Sequence, residues 1–431
     1  MALRPYQDRA ITGLRASYAR GKRSPCLVLP TGAGKTVVAA NIIRSATERG
    51  RRVLFLAHRE ELISQSVEKL ESAGVTDIRV IQAARQLGRP SSPVCVASIP
   101  TLIKWLDRLP QADLVVFDEC HHTIATTWAT IAKAYPAAHI LGLTATPQRG
   151  DGKPLGDVFD DLIIGATVRE LTDLGHLVPC RVWAPAQQME ARQMAISPLA
   201  AYQQHGAGQR AVVFTGTKDH AAEIAAEFVT GGVTAEVVHG QLSKGERKRR
   251  LDALASGALS VVVNVHVLTE GWDCPAVAVC ILARKPVHVG TYLQMVGRVL
   301  RPSPGKDGAT LLDLCGASLE YGPPELERAY TLDGEGISKG EREAIRQCPH
   351  CGGVFLAAGQ GECPQCGVAL PRKLTAKPEA VNVGLVEVKE QVDQLRLNLQ
   401  AVARRARRPD GWVDRAYAAI VSRVSTRRRA A

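Results

Sequence analysis

The chain has 431 residues, of which 45% are hydrophobic and 22% charged, a composition typical of globular proteins that excludes wholesale disorder. At about 150 residues per domain, this length predicts two to four domains. No apolar run approaches the ~18–20 residues of a membrane-spanning helix, and residues 1–10 lack the apolar core of a signal peptide. We therefore expect a cytoplasmic protein with no membrane partner.

The charge balance is basic and uneven. The 54 Lys and Arg residues outnumber the 42 Asp and Glu residues, and from Arg396 onward ten Arg stand against Asp410 and Asp414. Such an excess favours a polyanion partner, because phosphate contacts release condensed counterions, but a tail that only aids solubility explains the charge equally well. Aromatic residues make up 4%, so a nucleic acid would be held by its backbone more than by base stacking.

Short apolar runs alternate with helical patterns over residues 1–180. The runs are nearly continuous, as expected for strands covered on both faces, and the alternation predicts βαβ units with a parallel sheet. The predicted strands are 26–29, 52–57, 94–98, 114–118 and 140–144, with helices at 37–49 and 60–73.

The same alternation restarts near residue 211. Strands are predicted at 211–214, 235–238, 260–265, 277–282 and 309–314, with helices at 220–229 and 244–254. The expected fold class is therefore α/β with two tandem domains. We predict the first domain at residues 1–184, a connector at 185–210 and the second domain at 211–344.

Residues 345–431 differ in composition from the two predicted domains. Residues 345–371 are rich in Cys and Gly, and residues 372–431 form a basic tail with an apolar heptad spacing within 381–402. This spacing predicts a helix whose apolar stripe docks on its own domain or forms a coiled coil with a partner or a second copy. The stripe consists of Val381, Leu385, Val388, Val392, Leu395, Leu399 and Val402.

Four cysteines have the spacing of a metal site. Two C-x2-C pairs separated by eleven residues place four thiolates on two tight turns, which suits a tetrahedral structural Zn²⁺ ribbon; a redox pair is the alternative. With four protein ligands, the metal would have no open position for catalysis. The predicted ligands are Cys348, Cys351, Cys363 and Cys366.

A glycine-rich turn between a strand and a helix predicts a nucleotide site. The glycines let backbone N–H groups close around phosphate oxygens, Lys35 reaches the β- and γ-phosphates, and the Thr36 hydroxyl ligates Mg²⁺. A chance glycine-rich turn is the alternative. The predicted phosphate loop comprises Thr31, Gly32, Ala33, Gly34, Lys35 and Thr36.

Adjacent carboxylates end a buried strand at Asp118 and Glu119. Burying unpaired acids is unfavourable, whereas a metal–phosphate site requires them. Asp118 would hold Mg²⁺ and Glu119 would deprotonate the attacking water. His121 is placed to sense the γ-phosphate across the gap between domains, although taken alone it would be a surface histidine.

Arg298 and Arg301 are three residues apart and share one helix face. As isolated residues they would form a solvated basic face. If they face the phosphate loop of the first domain, they neutralise charge that develops on the γ-phosphate, which is the arginine-finger role.

Together these motifs resemble superfamily-2 helicases, closest to the DEAD/DEAH-box branch that includes restriction-enzyme motor subunits and phage helicases. The resemblance covers residues 4–302, and its Asp118-Glu-Cys-His121 segment is a DECH box. It implies two RecA-like domains with ATP and Mg²⁺ in the cleft between them. The segment from Gln294 to Arg301 is similar to the family's last motif, and Thr144-Ala-Thr146 to the one that links ATP state to the nucleic-acid track.

The resemblance also implies roles for residues outside the phosphate site. Gln7 would hydrogen-bond adenine, and Gly271 and Asp273 would lie near the nucleotide. The residues that would meet nucleic acid are Arg59, Ser98, Thr101, Thr215, His239 and Thr269.

The expected function is an ATP-dependent nucleic-acid helicase or translocase, with DNA favoured over RNA. One alternative is an ATPase that translocates on or remodels duplex DNA without unwinding it, as the motor subunit of a larger assembly. Others are an RNA helicase, or a zinc-ribbon binding protein with a vestigial ATPase.

Overall fold

The structure is a computed structural model and describes residues 3–57, 60–82, 85–106, 108–122, 125–148, 154–185, 189, 193–269, 271–328, 330–333, 345–347, 354–356, 362, 367–368, 379–380 and 385–387. Its main body consists of two lobes, each built on a largely parallel sheet. This confirms the predicted fold class of two tandem α/β domains.

The first lobe begins with a helix and carries the phosphate loop after its first strand. Its helices are α1 (Pro5–Ala19), α2 (Lys35–Thr47), α3 (Glu60–Ser72), α4 (Ile99–Leu102), α5 (Ala125–Ala134) and α6 (Val168–Asp173). Its strands are β1 (Pro25–Val28), β2 (Val53–Ala57), β3 (Ile78–Gln82), β4 (Arg85–Leu87), β5 (Val94–Ser98), β6 (Leu114–Phe117), β7 (His139–Thr144) and β8 (Asp161–Ile164). The sheet order is β4-β3-β5-β2-β6-β7-β1-β8, and only the β3–β4 pair is antiparallel among these strands.

The second lobe repeats this plan. Its strands are β9 (Cys180–Pro185), β10 (Gln193–Met194), β11 (Ala211–Thr215), β12 (Ala235–His239), β13 (Val261–Val265), β14 (Val279–Leu282) and β15 (Ala309–Asp313). Its helices are α7 (Pro198–His205), α8 (Lys218–Thr230), α9 (Lys244–Ser256), α10 (Val289–Val296) and α11 (Ala317–Tyr321). Four short strands follow: β16 (Ile345–Gln347), β17 (Val354–Leu356), β18 (Glu379–Ala380) and β19 (Leu385–Glu387). The main sheet order is β12-β13-β11-β14-β15-β9-β19.

Continuous apolar runs become central strands because successive side chains face opposite sides of a sheet. Along β2, Phe55 belongs to one buried apolar cluster, while Leu54 and Leu56 belong to another on the opposite face. The cluster that contains Phe55 also includes Phe214 of β11, so apolar packing continues from one lobe into the other. The carboxyl ends of the parallel strands, where ligands bind in such sheets, carry the predicted motifs.

The structure moves the predicted domain boundary. β9 pairs in parallel with β15, so Cys180–Pro185 belongs to the second sheet and the connector does not begin at residue 185. The predicted connector also contains α7, which begins at Pro198 after the Ser197 side chain caps it. The local sequence of a short apolar strand is the same whichever of the two sheets it joins. Its sheet is determined by long-range strand pairing, which local sequence does not show.

The helix predicted over 381–402 is wrong where the structure describes it. Residues Leu385–Glu387 form β19, antiparallel to β9, and cover what would otherwise be an open sheet edge. The rest of the stripe lies outside the described residues. Of the segment 345–371, the structure describes the antiparallel pair β16–β17, whose strands flank Cys348 and Cys351 in the sequence.

Candidate active site between the lobes

The phosphate loop follows β1 and ends where α2 begins at Lys35. Gly32 and Gly34 have φ of 89° and 81°, the left-handed region that glycine enters without strain. A Cβ at Gly34 would lie 2.6 Å from the Gln7 amide nitrogen, so any larger residue would collide with α1. The loop therefore has the open backbone and the helix amino end that suit a phosphate group.

Helix α1 braces this loop from behind. The Tyr6 hydroxyl and the Gln7 amide donate to the Ala33 carbonyl at 2.7 and 3.1 Å, and the Gln7 side-chain oxygen accepts from the Arg4 N–H at 3.0 Å. Gln7 is buried, and both ends of its amide have partners within the protein. The structure thus gives Gln7 the position of a loop brace, and the adenine contact stays a prediction.

The carboxylates face the loop from the end of β6. Glu119 has a positive φ of 48°, and its N–H donates to the Asp118 carboxylate at 3.0 Å. Lys35 Nζ lies 3.5 Å from a Glu119 carboxylate oxygen. Burial, and then the nearby Glu119 charge, raise the pKa of Asp118 to about 7, which Lys35 opposes. A half-buried pair of acids that is only partly neutralised fits a divalent cation, which would be held by Asp118 and the Thr36 hydroxyl.

His121 joins the two lobes. The Thr144 hydroxyl donates to the Thr146 carbonyl at 2.7 Å, so at 2.9 Å it accepts from the N–H at His121 Nδ1. His121 Nε2 then accepts from the Gln294 amide of α10 at 2.7 Å. The DECH box, the end of β7 and the second lobe thus form one buried hydrogen-bonded chain. His121 therefore lies between the lobes, and its predicted contact with the γ-phosphate stays a prediction.

The lobes also touch at the phosphate loop itself. A Cβ at Gly297, at the end of α10, would lie 2.6 Å from the Thr31 Cβ. Glycine permits this close approach, which places the second lobe's last motif directly against the loop.

The two predicted arginine fingers occupy different positions. The Arg298 guanidinium is buried and donates to the Thr269 carbonyl at 2.6 and 3.1 Å and to the Trp272 carbonyl at 2.7 Å. Arg301 forms an ion pair with Asp273, and its side chain lies against Gly32, where a Cβ would be 3.1 Å from Arg301 Cγ. In this arrangement Arg298 anchors the Thr269–Trp272 loop, and Arg301 is the arginine that lies against the phosphate loop.

These groups surround one cleft with a volume of ≈ 430 Å³. Lys69 of α3 also lines it, and nothing in the sequence marked this residue beyond its place in an amphipathic helix. Burial lowers the pKa of Lys69, while the Asp273 and Asp118 charges oppose that shift. The predicted site residues that line the cleft are Thr31, Gly32, Gly34, Lys35, Thr36, Asp118, Glu119, Gly271, Asp273, Arg298 and Arg301.

Of the predicted nucleic-acid residues that the structure describes, Ser98, Thr215 and His239 end strands β5, β11 and β12, Thr101 lies in α4, and Thr269 lies in the loop that Arg298 holds. Ser98 and Thr101 are buried and share a 2.6 Å hydrogen bond, and Thr215 is buried beside Asn264. His239 is partly exposed and accepts the Gln241 N–H at 3.2 Å. Their contacts with nucleic acid stay predictions.

Several predictions lie outside the described residues: Arg59 and the four cysteines Cys348, Cys351, Cys363 and Cys366. In the part of the chain that the structure describes, no group of three or more His, Cys, Asp or Glu side chains is arranged to hold a metal ion. Within the same part, no helix is long and apolar enough to cross a membrane.

Two family descriptions match the chain. "Type III restriction enzyme, res subunit" matches residues 1–149, and "Helicase conserved C-terminal domain" matches residues 193–303. The two matches fall on the first lobe and on the part of the second lobe that ends just after Arg301.

Similar proteins come from phages, yeasts and archaea. The chain is 28% identical to a 51.5 kDa protein of a Lactococcus phage, covering 78% of this chain and 76% of that one. It is 26% identical to the putative ATP-dependent helicase IRC3 of Saccharomyces cerevisiae, covering 79% and 58%. Identity is also 26% to the DNA 3'-5' translocase XPB2 of Sulfurisphaera tokodaii, covering 72% and 80%. RNA helicases are among the similar proteins as well.

Solved structures share the fold. A fragment of a putative HsdR subunit of a type I restriction enzyme from Vibrio vulnificus has a TM-score of 0.59 at 23% identity, covering 77% of this chain and 69% of that one. The ATP-dependent Type ISP restriction-modification enzyme LlaBIII bound to DNA has a TM-score of 0.55 at 18% identity, covering 72% and 28%. This chain thus corresponds to a minor part of that larger enzyme.

Proposed function

The chain belongs to the superfamily-2 helicases, close to the phage and restriction-enzyme types, and hydrolyses ATP; on this premise we propose that it is a translocase or helicase acting on DNA. The observation that carries the proposal is the convergence of groups from both lobes on one cleft, where Arg301 lies against Gly32 and Gln294 hydrogen-bonds His121.

The residues of the cleft have different roles in ATP hydrolysis. Lys35 and the loop N–H groups hold the phosphates, and Glu119 accepts a proton from the attacking water. Arg301 approaches from the other lobe and stabilises charge that develops as the terminal phosphate leaves. Mg²⁺ at Asp118 and Thr36 would neutralise phosphate charge when bound.

The contacts between lobes couple this chemistry to movement. ATP gives both lobes a shared partner and favours the closed cleft, whereas the products lack the terminal phosphate that links them. The His121–Gln294 hydrogen bond and the Gly297–Thr31 approach are the contacts that opening would break. A strand of nucleic acid that lies across both lobes would therefore advance with each cycle.

DNA is the favoured substrate for two reasons. The net charge of +12 suits a polyanion, and the named relatives include a DNA translocase and restriction enzymes. The test is ATPase activity with single- and double-stranded DNA and RNA. We expect DNA to raise the rate, and the stimulation to fall steeply with salt. Stimulation by RNA alone would overturn the choice of DNA.

The assignment of the phosphate site is tested separately by Lys35→Ala. Without the ammonium that faces the phosphates, we expect ATP turnover to fall by at least about 10³-fold, the scale on which single charge-stabilising groups act in this chemistry. Lys133→Ala changes an exposed lysine of α5 and is the matched control. Wild-type turnover by the Lys35 variant would disprove the site.

A second function is favoured by the restriction-enzyme resemblance: translocation on duplex DNA without strand separation, as the motor of a larger assembly. Strand-displacement and triplex-displacement assays on one preparation distinguish the two. Triplex displacement without strand displacement supports the motor, and strand displacement supports the helicase.

A structural zinc ribbon stays part of the proposal because of the cysteine spacing. The antiparallel pair β16–β17, whose strands come before and after Cys348 and Cys351 in the sequence, supports it, because a C-x2-C pair between two such strands suits a ribbon. Elemental analysis of the purified protein should find one zinc per chain. Its absence, with Cys348→Ser behaving like wild type, would remove the ribbon.

A further inference from the structure

Behind Arg301, on the loop between α10 and β15, lies a lysine that no motif includes. Lys306 Nζ donates to the carbonyl oxygens of Pro275, Val277 and Arg301 at 2.9, 2.6 and 2.9 Å. An ammonium group has three N–H donors, and each has its own acceptor here. The side chain is half-buried, so the charge is held by these carbonyls more than by water.

The three carbonyls belong to the two segments that carry the Asp273–Arg301 ion pair. Pro275 and Val277 follow Asp273 in the chain, and the third carbonyl is that of Arg301 itself. Lys306 therefore fastens the backbone on both sides of the pair. The spacing between Asp273 and Arg301 is set at this point, because neither segment shifts without losing a charge-assisted hydrogen bond.

Arg298 fastens the same loop from its other end, through the carbonyls of Thr269 and Trp272. Two cations thus hold the backbone, and Arg301 alone extends from it towards Gly32 of the first lobe. Catalytic groups need to be placed within about 0.5 Å of their productive position, and such precision requires a supporting shell of this kind.

From this geometry we propose that Lys306 is a positioning residue for Arg301, an inference that rests on the role proposed above for Arg301 in ATP hydrolysis. It acts through the backbone of residues 275–277 and 301, and it touches neither the phosphate loop nor the substrate. Removing the ammonium frees the loop after Arg301, so that the guanidinium samples positions away from the phosphate.

The test is a double-mutant cycle of Lys306→Met and Arg301→Ala, read as kcat and KM for ATP at saturating DNA. We expect Lys306→Met to lower kcat about 10- to 100-fold with KM within about twofold, since an interaction made only in the transition state is weakened. In the Arg301→Ala background, the same change should have no further effect, because the two residues act as one unit. An equal loss in both backgrounds, or an unchanged kcat in a folded Lys306→Met protein, overturns the proposal.

A matched control is Lys285→Met, which removes a second-lobe lysine that pairs with Glu320 at 2.8 Å. Its kcat should stay at the wild-type value. Binding of a fluorescent, non-hydrolysable ATP analogue should be equal in all variants, which separates loss of positioning from loss of the nucleotide site.

The pH profile gives a second readout, which also decides the matter if Lys306→Met fails to fold. Burial lowers the pKa of Lys306 to about 8, and the neutral amine keeps only two donors for three carbonyls. The groups that face it are the Cys274 and Cys180 thiols, whose pKa values burial raises, and the Arg301 cation. Wild-type kcat should fall as pH rises through about 8, whereas Lys306→Arg, which stays charged, should keep its kcat to pH 9. If kcat falls in the same way above pH 8 in the wild type and in Lys306→Arg, the proposal is contradicted.

Discussion

The two lobes bring opposite electrostatic situations to one cleft. In the first lobe, the half-buried Asp118 lies beside Glu119, and Lys35 at 3.5 Å from Glu119 neutralises the pair only in part. In the second lobe, Arg298 is satisfied by backbone carbonyls and Arg301 by Asp273. The charges that the first lobe brings to the cleft are thus balanced only when a cation and phosphates bind, whereas the charges of the second lobe are largely balanced by groups of that lobe.

This difference indicates where a change will affect chemistry and where it will affect folding. A group that faces the cleft can be altered with little effect on the stability of the free protein when its partner within the chain is an exposed side chain, as Asp273 is for Arg301. A group that donates to backbone carbonyls, such as Arg298, holds the backbone in place, and its removal leaves those acceptors without donors. The arginines of the second lobe test this distinction most directly.

The largest expected effect is at Arg301. Arg301→Ala should lower kcat by about 10³-fold while the melting temperature stays within a few degrees, as expected for a group that stabilises the transition state. Arg298→Ala should instead destabilise the protein by about 1–3 kcal/mol for each buried carbonyl left without a donor. Thermal melts and ATPase rates of both variants check this contrast. A stable, slow Arg298→Ala protein would show that both arginines act on the phosphate.

A smaller effect is expected where the lobes touch. Gly297 has an ordinary φ of −58°, so the backbone angle itself tolerates a Cβ, which would lie 2.6 Å from the Thr31 Cβ of the other lobe and 2.9 Å from the Leu293 carbonyl oxygen of α10. Gly297→Ala should hinder closure and lower DNA-stimulated kcat/KM for ATP about tenfold. Gly245→Ala in α9, where a Cβ meets nothing within 4 Å, is the matched control and should be slightly stabilising. Full activity in Gly297→Ala would mean that catalysis does not need this close approach.

The smallest effect concerns stability and pH. The pKa of Asp118 is about 7 in the folded protein and about 3.9 when unfolded, so between these values the folded state binds more protons. Stability contributed by the neutral carboxyl is therefore lost as pH rises from 4 through 7. Asp118→Asn should raise the melting temperature of the nucleotide-free protein more at pH 8 than at pH 5, by roughly 2–4 °C for each kcal/mol restored.

The control for that measurement is Asp219→Asn, which changes an exposed acid in the first turn of α8. Its effect on the melting temperature should be the same at both pH values. If Asp118→Asn shows no difference between pH 5 and pH 8, the buried carboxyl is neutralised by something other than a proton.

Features that depend on neighbouring residues along the chain could be predicted before the fold was known. The strand–turn–helix around Gly32 and Gly34, the Asp118–Glu119 pair and the alternating strands were all predicted correctly in place, because local spacing and apolar runs define them. Tertiary structure decided the rest. It assigned Cys180–Pro185 to the second sheet, made Leu385–Glu387 an edge strand, and gave Arg298 and Arg301 different partners although both lie in one motif. These features depend on contacts between residues that are far apart in the sequence, such as a side chain with a carbonyl, a carboxylate or a sheet edge. The spacing of residues within the sequence does not predict such contacts.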